Sequence, residues 1–132
     1  MTATVPTVRT ISVLIVEDNR DAAESLGRFL RLGCGYRVRL AYDGEQGLRS
    51  ALAEPPDAIV CDINLPKKDG FGVARDLVES LPVKPLLIAV TAFSGDYPLA
   101  QAEAAGFDHY LVKPADPFAI EAFIEDARSQ GS

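Results

Sequence analysis

Ile11-Ser12-Val13-Leu14-Ile15-Val16-Glu17-Asp18-Asn19 is the stretch on which the fold is read. Ile11 to Val16 is a short run of mostly β-branched or apolar residues, and an unbroken run of that length suits a strand covered on both faces. Such strands belong to parallel sheets. The polar Glu17-Asp18-Asn19 ends the run and hands the chain to a helix, in which Ala22, Leu26, Phe29 and Leu30 recur at helical spacing. Gly33 and Gly35 supply its stop.

On either side of this stretch the alternation repeats. Tyr36 to Ala41 reads as a second strand, Asp43 caps a helix through about Ala53, and Pro55-Pro56 breaks the chain before the strand Ala58 to Asp62. A third helix follows Gly70. Leu86 to Thr91 is the fourth strand, and its helix carries Pro98 in the first turn and runs to about Ala105, before Gly106. His109 to Lys113 is the fifth strand. Asp116 caps the last helix with Pro117 at its first position, and Ile120, Phe123, Ile124 and Ala127 form its apolar stripe.

This is a (βα)5 pattern, so the expected fold is α/β: a doubly wound, five-stranded parallel sheet of order 2-1-3-4-5 with right-handed crossovers. Met1 to Thr10 is Thr-rich, carries Pro6 and reads as a flexible leader; the domain spans Ile11 to Arg128, and Ser129 to Ser132 is a polar tail. At 132 residues there is no room for a second domain of ordinary size.

Composition narrows the function. Hydrophobic residues make up 48% of the chain and charged residues 24%, a balance that can bury a core. The formal net charge is -6 and the pI about 4.7, which disfavours nucleic acid and anionic membranes as partners. No apolar run approaches the roughly 20 residues of a membrane span, and the start lacks an export signal, so a cytoplasmic location is expected. Cys34 and Cys61 lie far apart and are expected to be free thiols.

In a sheet of this winding, ligands bind beyond the carboxyl ends of the strands where the order reverses. Strand 1 ends there in Glu17 and Asp18, strand 3 in Asp62 followed by Asn64, strand 4 in Thr91, and strand 5 in Lys113-Pro114. Carboxylates brought together repel unless a cation intervenes, and hard oxygen donors with open water positions suit Mg²⁺. Asp18 and Asp62 are the expected direct ligands, Glu17 acts through water, and a backbone carbonyl near Asn64 adds an oxygen. Lys113 is placed to pair with Asp62 or with an incoming phosphoryl oxygen, and Thr91 offers a hydroxyl. Together they describe a pocket that stabilises a phosphoryl group in transfer, with Asp62 as nucleophile.

The blocks Val16-Glu17-Asp18-Asn19, Cys61-Asp62-Ile63-Asn64-Leu65-Pro66 with Asp69-Gly70, Val90-Thr91-Ala92 and Tyr110-Leu111-Val112-Lys113-Pro114 resemble, in order and spacing, the receiver domains of two-component response regulators. The resemblance implies a flavodoxin-like fold similar to the chemotaxis regulator's. It implies Mg²⁺ on Asp18, Asp62 and the Asn64 carbonyl, and a phosphoryl group passed to Asp62 from the histidine of a histidine kinase or histidine phosphotransfer protein. Thr91 and Tyr110 would then switch the helix 4, strand 5, helix 5 face, through which a homodimer is also expected. It further implies a cis Lys113–Pro114 bond, and a phosphate lifetime set by Asn64 and Phe93. The chain would be a signalling phosphoacceptor that assists its own phosphotransfer and loses phosphate slowly, rather than a turnover enzyme.

Lys67-Lys68 departs from the family, which usually has a hydrophobic residue at the Lys68 position; two solvated loop lysines, or a kinase-docking charge, both fit. His109 should point to the sheet face opposite Tyr110 and is read as structural. Two other functions use the same architecture: a Mg²⁺-dependent phosphohydrolase with an aspartyl-phosphate intermediate, and a flavodoxin-like nucleotide binder. The second needs a phosphate cradle where Glu17-Asp18-Asn19 stands. A receiver that binds partners without phosphorylation is a third alternative.

Overall fold

The computed structural model describes residues 9–92 and 96–130. Phe93, residues 1–8 of the expected leader and residues 131–132 of the expected tail lie outside the described residues. The elements are β1 (Ser12–Val16), α1 (Arg20–Arg28), β2 (Arg37–Ala41), α2 (Gly44–Ala53), β3 (Ala58–Asp62), α3 (Gly70–Ser80), β4 (Leu86–Thr91), α4 (Asp96–Ala105), β5 (His109–Val112) and α5 (Pro117–Gln130). All strand pairs are parallel, in the order β2-β1-β3-β4-β5. The (βα)5 doubly wound expectation is the observed fold.

Each central strand alternates its side chains between two apolar layers, as a pleat buried on both faces must. Leu14, Val16, Ile59, Cys61, Leu87 and Ala89 face one layer, closed by Phe71, Val73 and Leu77 of α3 and Ala102 and Ala105 of α4. Val13, Ile15, Val60, Ile88 and Val90 face the other, closed by Ala23 and Leu30 after β1 and by Ile120 and Ile124 of α5. His109 stacks flat on Phe123 of α5 at 3.8 Å, while Tyr110 packs on the α3 and α4 side, so the two do lie on opposite faces.

The apolar stripe of α1 differs from its sequence reading. Ala22 is exposed, and the residues pressed on the sheet are Ala23, Gly27 and Leu30, with Leu26 and Phe29 flanking them. A Cβ at Gly27 would stand 3.3 Å from Leu40 and 3.5 Å from Val38, so the helix meets β2 through a residue that hydrophobic patterning does not count. Beyond Arg28 the helix widens into a π turn, Phe29–Gly33. Gly35, at φ 75°, then closes it: the Gly35 and Tyr36 N–H groups donate to the Arg31 and Leu30 carbonyls.

Caps fix where α1, α2, α3 and α5 start. Asn19 Oδ1 accepts from Ala22 N at 3.0 Å, Asp43 from Gln46 N at 2.8 Å, Asp69 from Gly72 N at 2.9 Å and Asp116 from Phe118 N at 2.9 Å. Ile11, Tyr36 and Lys113, expected inside strands, each fall just outside one. The backbones of Ile11 and Lys113 still extend the ladder: Ile11 O accepts from Arg37 N, and Lys113 N donates to Thr91 O at 2.7 Å. Among the described residues no helix is long and apolar enough to cross a membrane, and Cys34 and Cys61 are free thiols.

Candidate functional site: an acidic cluster at the strand ends

The five strands stop at nearly one level, so the residues that follow them converge. Asp62 is the last residue of β3 and is 4% exposed; Glu17, one past β1, is 8% exposed, and Thr91, the last of β4, is 1% exposed. Buried carboxylates are rare unless partnered. Here the partner is Lys113, whose Nζ lies 2.8 Å from Asp62 Oδ2 and 2.9 Å from Glu17 Oε1. The second oxygens are held by backbone: Asn64 N donates to Asp62 Oδ1 at 3.0 Å, and Asn19 N to Glu17 Oε2 at 3.0 Å.

Burial of the Lys113 ammonium acts to lower its pKa, but hydrogen bonds and attraction from Asp62 and Glu17 outweigh it, and the net shift is upward. Lys113 is therefore a fixed positive charge. The Lys113–Pro114 peptide bond that carries the chain away from it is cis.

Asp18 completes the cluster from the solvent side. Glu17, Asp18 and Asp62 each offer an oxygen within 4.8 Å of the others. Three carboxylates face one ammonium, which leaves a surplus of two negative charges on hard oxygen donors. That donor set fits a divalent hard cation such as Mg²⁺. Asn64 itself is exposed at the rim.

A cavity of about 680 Å³ opens from this cluster and runs between α1 and the start of α5. Glu17, Asp62 and Lys113 form its polar end, and Leu26, Phe29 and Pro114 part of its apolar wall. Sequence reasoning missed this groove, as it missed the direct Lys113–Glu17 pair, because neither follows from spacing along one element. Lys67 and Lys68 face carboxylates of the neighbouring helices: Lys68 Nζ lies 2.6 Å from Asp76 and Lys67 Nζ 4.0 Å from Asp43.

The family model described as the response regulator receiver domain matches residues 13–125. This chain belongs to that family. It is a receiver domain of the kind that serves response regulators in two-component signalling, where receiver domains interact with histidine kinases. It is similar to the response regulator MprA of Mycobacterium ulcerans, 36% identical over 119 residues, covering 90% of this chain and 49% of that protein. The transcriptional regulatory protein PrrA of Mycobacterium tuberculosis is 45% identical over 102 residues, covering 77% of this chain and 43% of that protein. The receiver chain thus spans about half the length of the curated relatives it matches.

Among solved structures, the N-terminal domain of an uncharacterized protein from Wolinella succinogenes superposes with TM-score 0.82 at 33% identity, covering 92% of this chain and 97% of that one. A CheY-like response regulator receiver domain protein from Methanospirillum hungatei superposes with TM-score 0.85 at 24% identity, covering 92% and 96%. At that identity the second likeness speaks for the receiver fold alone.

Proposed function

We propose that this receiver domain accepts a phosphoryl group on Asp62 from a phosphohistidine of a histidine kinase or histidine phosphotransfer protein. The observation that carries the proposal is the hold on Asp62: Lys113 on one carboxylate oxygen, the Asn64 amide on the other, and Glu17 and Asp18 alongside. A carboxylate oxygen attacks phosphorus as the phosphorus–nitrogen bond breaks, and the imidazole leaves with that electron pair. Lys113 then turns from the carboxylate to a phosphoryl oxygen, and the Thr91 hydroxyl donates to another.

Mg²⁺ would be held by Asp18, Asp62 and the Asn64 carbonyl, with Glu17 acting through water, and would supply neutralisation of the phosphoryl charge. The apolar groove between α1 and α5 gives a partner helix a path to bring its histidine to Asp62. The result is an acyl phosphate that signals while it lasts, with Asn64 and Phe93 governing the approach of water. Thr91 moves toward the phosphoryl group while Tyr110 turns inward, and this passes the state to the α4-β5-α5 face, where a second copy can pair. The charge of -6 disfavours nucleic-acid contact by this stretch of chain, and a cytoplasmic location belongs to the same reading.

Intact mass after incubation with Mg²⁺ and a small acyl-phosphate donor tests this reading. One transient phosphoryl group is expected, absent with EDTA and in Asp62→Asn. No gain in the wild type, or a gain that persists in Asp62→Asn, overturns it.

A further inference from the structure

The loop that follows Asp62 leans on a neighbouring helix as well as on its own hydrogen bonds. Residues 65–68 carry Lys67 at φ 70°, a left-handed conformation that a lysine side chain disfavours. The loop holds that shape against the first residue of α2. Gly44 N donates to Pro66 O at 3.3 Å, and a Cβ at Gly44 would stand 1.7 Å from Lys68 O and 2.6 Å from its carbonyl carbon. No side chain fits there. The side chain before Gly44 adds a charge contact, Asp43 to Lys67.

The other end of the loop touches the acceptor. Asn64 N donates to Asp62 Oδ1 at 3.0 Å, and Leu65 N and Gly70 N donate to Ile63 O at 3.1 and 2.8 Å. A movement of Lys68 therefore carries back through a few tightly bonded residues to the Asp62 carboxylate and to the Asn64 carbonyl. We propose that Gly44 is a positioning residue for phosphoryl acceptance: the bare backbone at the start of α2 clamps the β3–α3 loop so that Asn64 holds Asp62 Oδ1 and presents its carbonyl to the cation. This rests on the proposed role of Asp62, but the clamp itself has a readout independent of that role.

The test is Gly44→Ala in the full chain, with Leu52→Ala, on the exposed side of α2, as the control. Three quantities are read: hydrogen exchange at the Asn64 amide, Mg²⁺ affinity from amide chemical shifts, and the rate of phosphoryl gain from a small acyl-phosphate donor. Gly44→Ala is expected to exchange the Asn64 amide at least about tenfold faster, to weaken Mg²⁺ about tenfold and to slow phosphoryl gain about tenfold or more. Leu52→Ala changes none of the three. Adding Lys67→Gly to Gly44→Ala restores part of each, because a glycine lets the turn back away from α2 without strain.

If Gly44→Ala does not fold, Lys67→Pro makes the same displacement from the loop side, since proline forbids the left-handed φ, and the same three losses are expected. A folded variant with wild-type Asn64 exchange and wild-type Mg²⁺ affinity overturns the clamp. A wild type that takes up no phosphoryl group overturns the function proposed for Asp62, while the Asn64 exchange still decides the clamp.

Discussion

The two edges of the sheet both tie carboxylates to basic side chains, and they do so to opposite ends. At the amino edge Arg9 forks onto Asp57 at 3.0 and 2.7 Å, and the Ser12 amide donates to the same carboxylate at 2.8 Å. Arg128 donates to Arg9 O at 2.9 Å and pairs with Glu125, which also accepts from the Tyr36 hydroxyl. Among the described residues, Arg9 and Arg128 each match a carboxylate, Asp57 and Glu125, one for one. At the carboxyl edge, among the described residues, Lys113 pairs with two buried carboxylates, Glu17 and Asp62, while the third of the cluster, Asp18, has no ion pair. A balanced cluster holds elements together, whereas an unbalanced buried one stores an affinity for cations. On a sheet that carries charge at both ends of its strands, the unbalanced end is the one suited to chemistry.

Mg²⁺-induced thermal shift separates the edges in one assay. A cation at a hundredfold excess over its dissociation constant adds about 2.7 kcal/mol, roughly 10 °C in Tm for a domain of this size. The largest expected effect is from Asp62→Asn, which should abolish phosphoryl gain and most of this shift; an unchanged shift would place the cation elsewhere.

Lys113→Ala comes next. Without Mg²⁺ it leaves Asp62 and Glu17 facing each other uncompensated, at a cost of about 2 kcal/mol once the partial exposure of the ammonium is discounted. Removing a positive charge beside the donors should also tighten Mg²⁺ about tenfold, while phosphoryl gain slows roughly a hundredfold for want of the lysine. Calorimetric titration and the intact-mass time course read the two directions separately. Weaker Mg²⁺ binding in Lys113→Ala would show that the lysine shapes the donors rather than competes with the cation.

How much of this was legible follows from what each contact is made of. The sheet order is the expected winding of a (βα)5 chain, and the span of β3 and β4 and the caps at Asp43 and Asp116 follow from β-branched runs and punctuation, which sequence displays directly. So does the convergence of Glu17, Asp18, Asp62, Thr91 and Lys113, because parallel strands deliver their ends to one edge. The sheet-facing side of α1 did not, because Gly27 is invisible to hydrophobic periodicity and Ala22 is a decoy beside Ala23. Nor did the Gly44–Lys68 contact or the groove between α1 and α5, which arise where backbones or whole elements approach one another.

The smallest expected effect belongs to the amino edge, and its pH dependence completes the comparison. Burial alone would raise the Asp57 pKa, but the Arg9 hydrogen bonds, the Ser12 amide and the attraction of Arg9 and Arg128 more than offset it, leaving it below the ordinary 3.8. A carboxylate with a folded pKa below its unfolded one binds its proton more readily when unfolded. Its stabilisation is therefore full above the ordinary carboxylate range and is lost as pH falls through the depressed folded value. Asp57→Asn should cost about 1 kcal/mol at neutral pH, with the gap in Tm to the wild type closing as the solution is acidified below about pH 4. The Mg²⁺ shift at neutral pH should be that of the wild type. A gap that persists into acid would mean that the Asp57 charge does not hold this edge, and a reduced Mg²⁺ shift would mean that the two edges are coupled through the sheet.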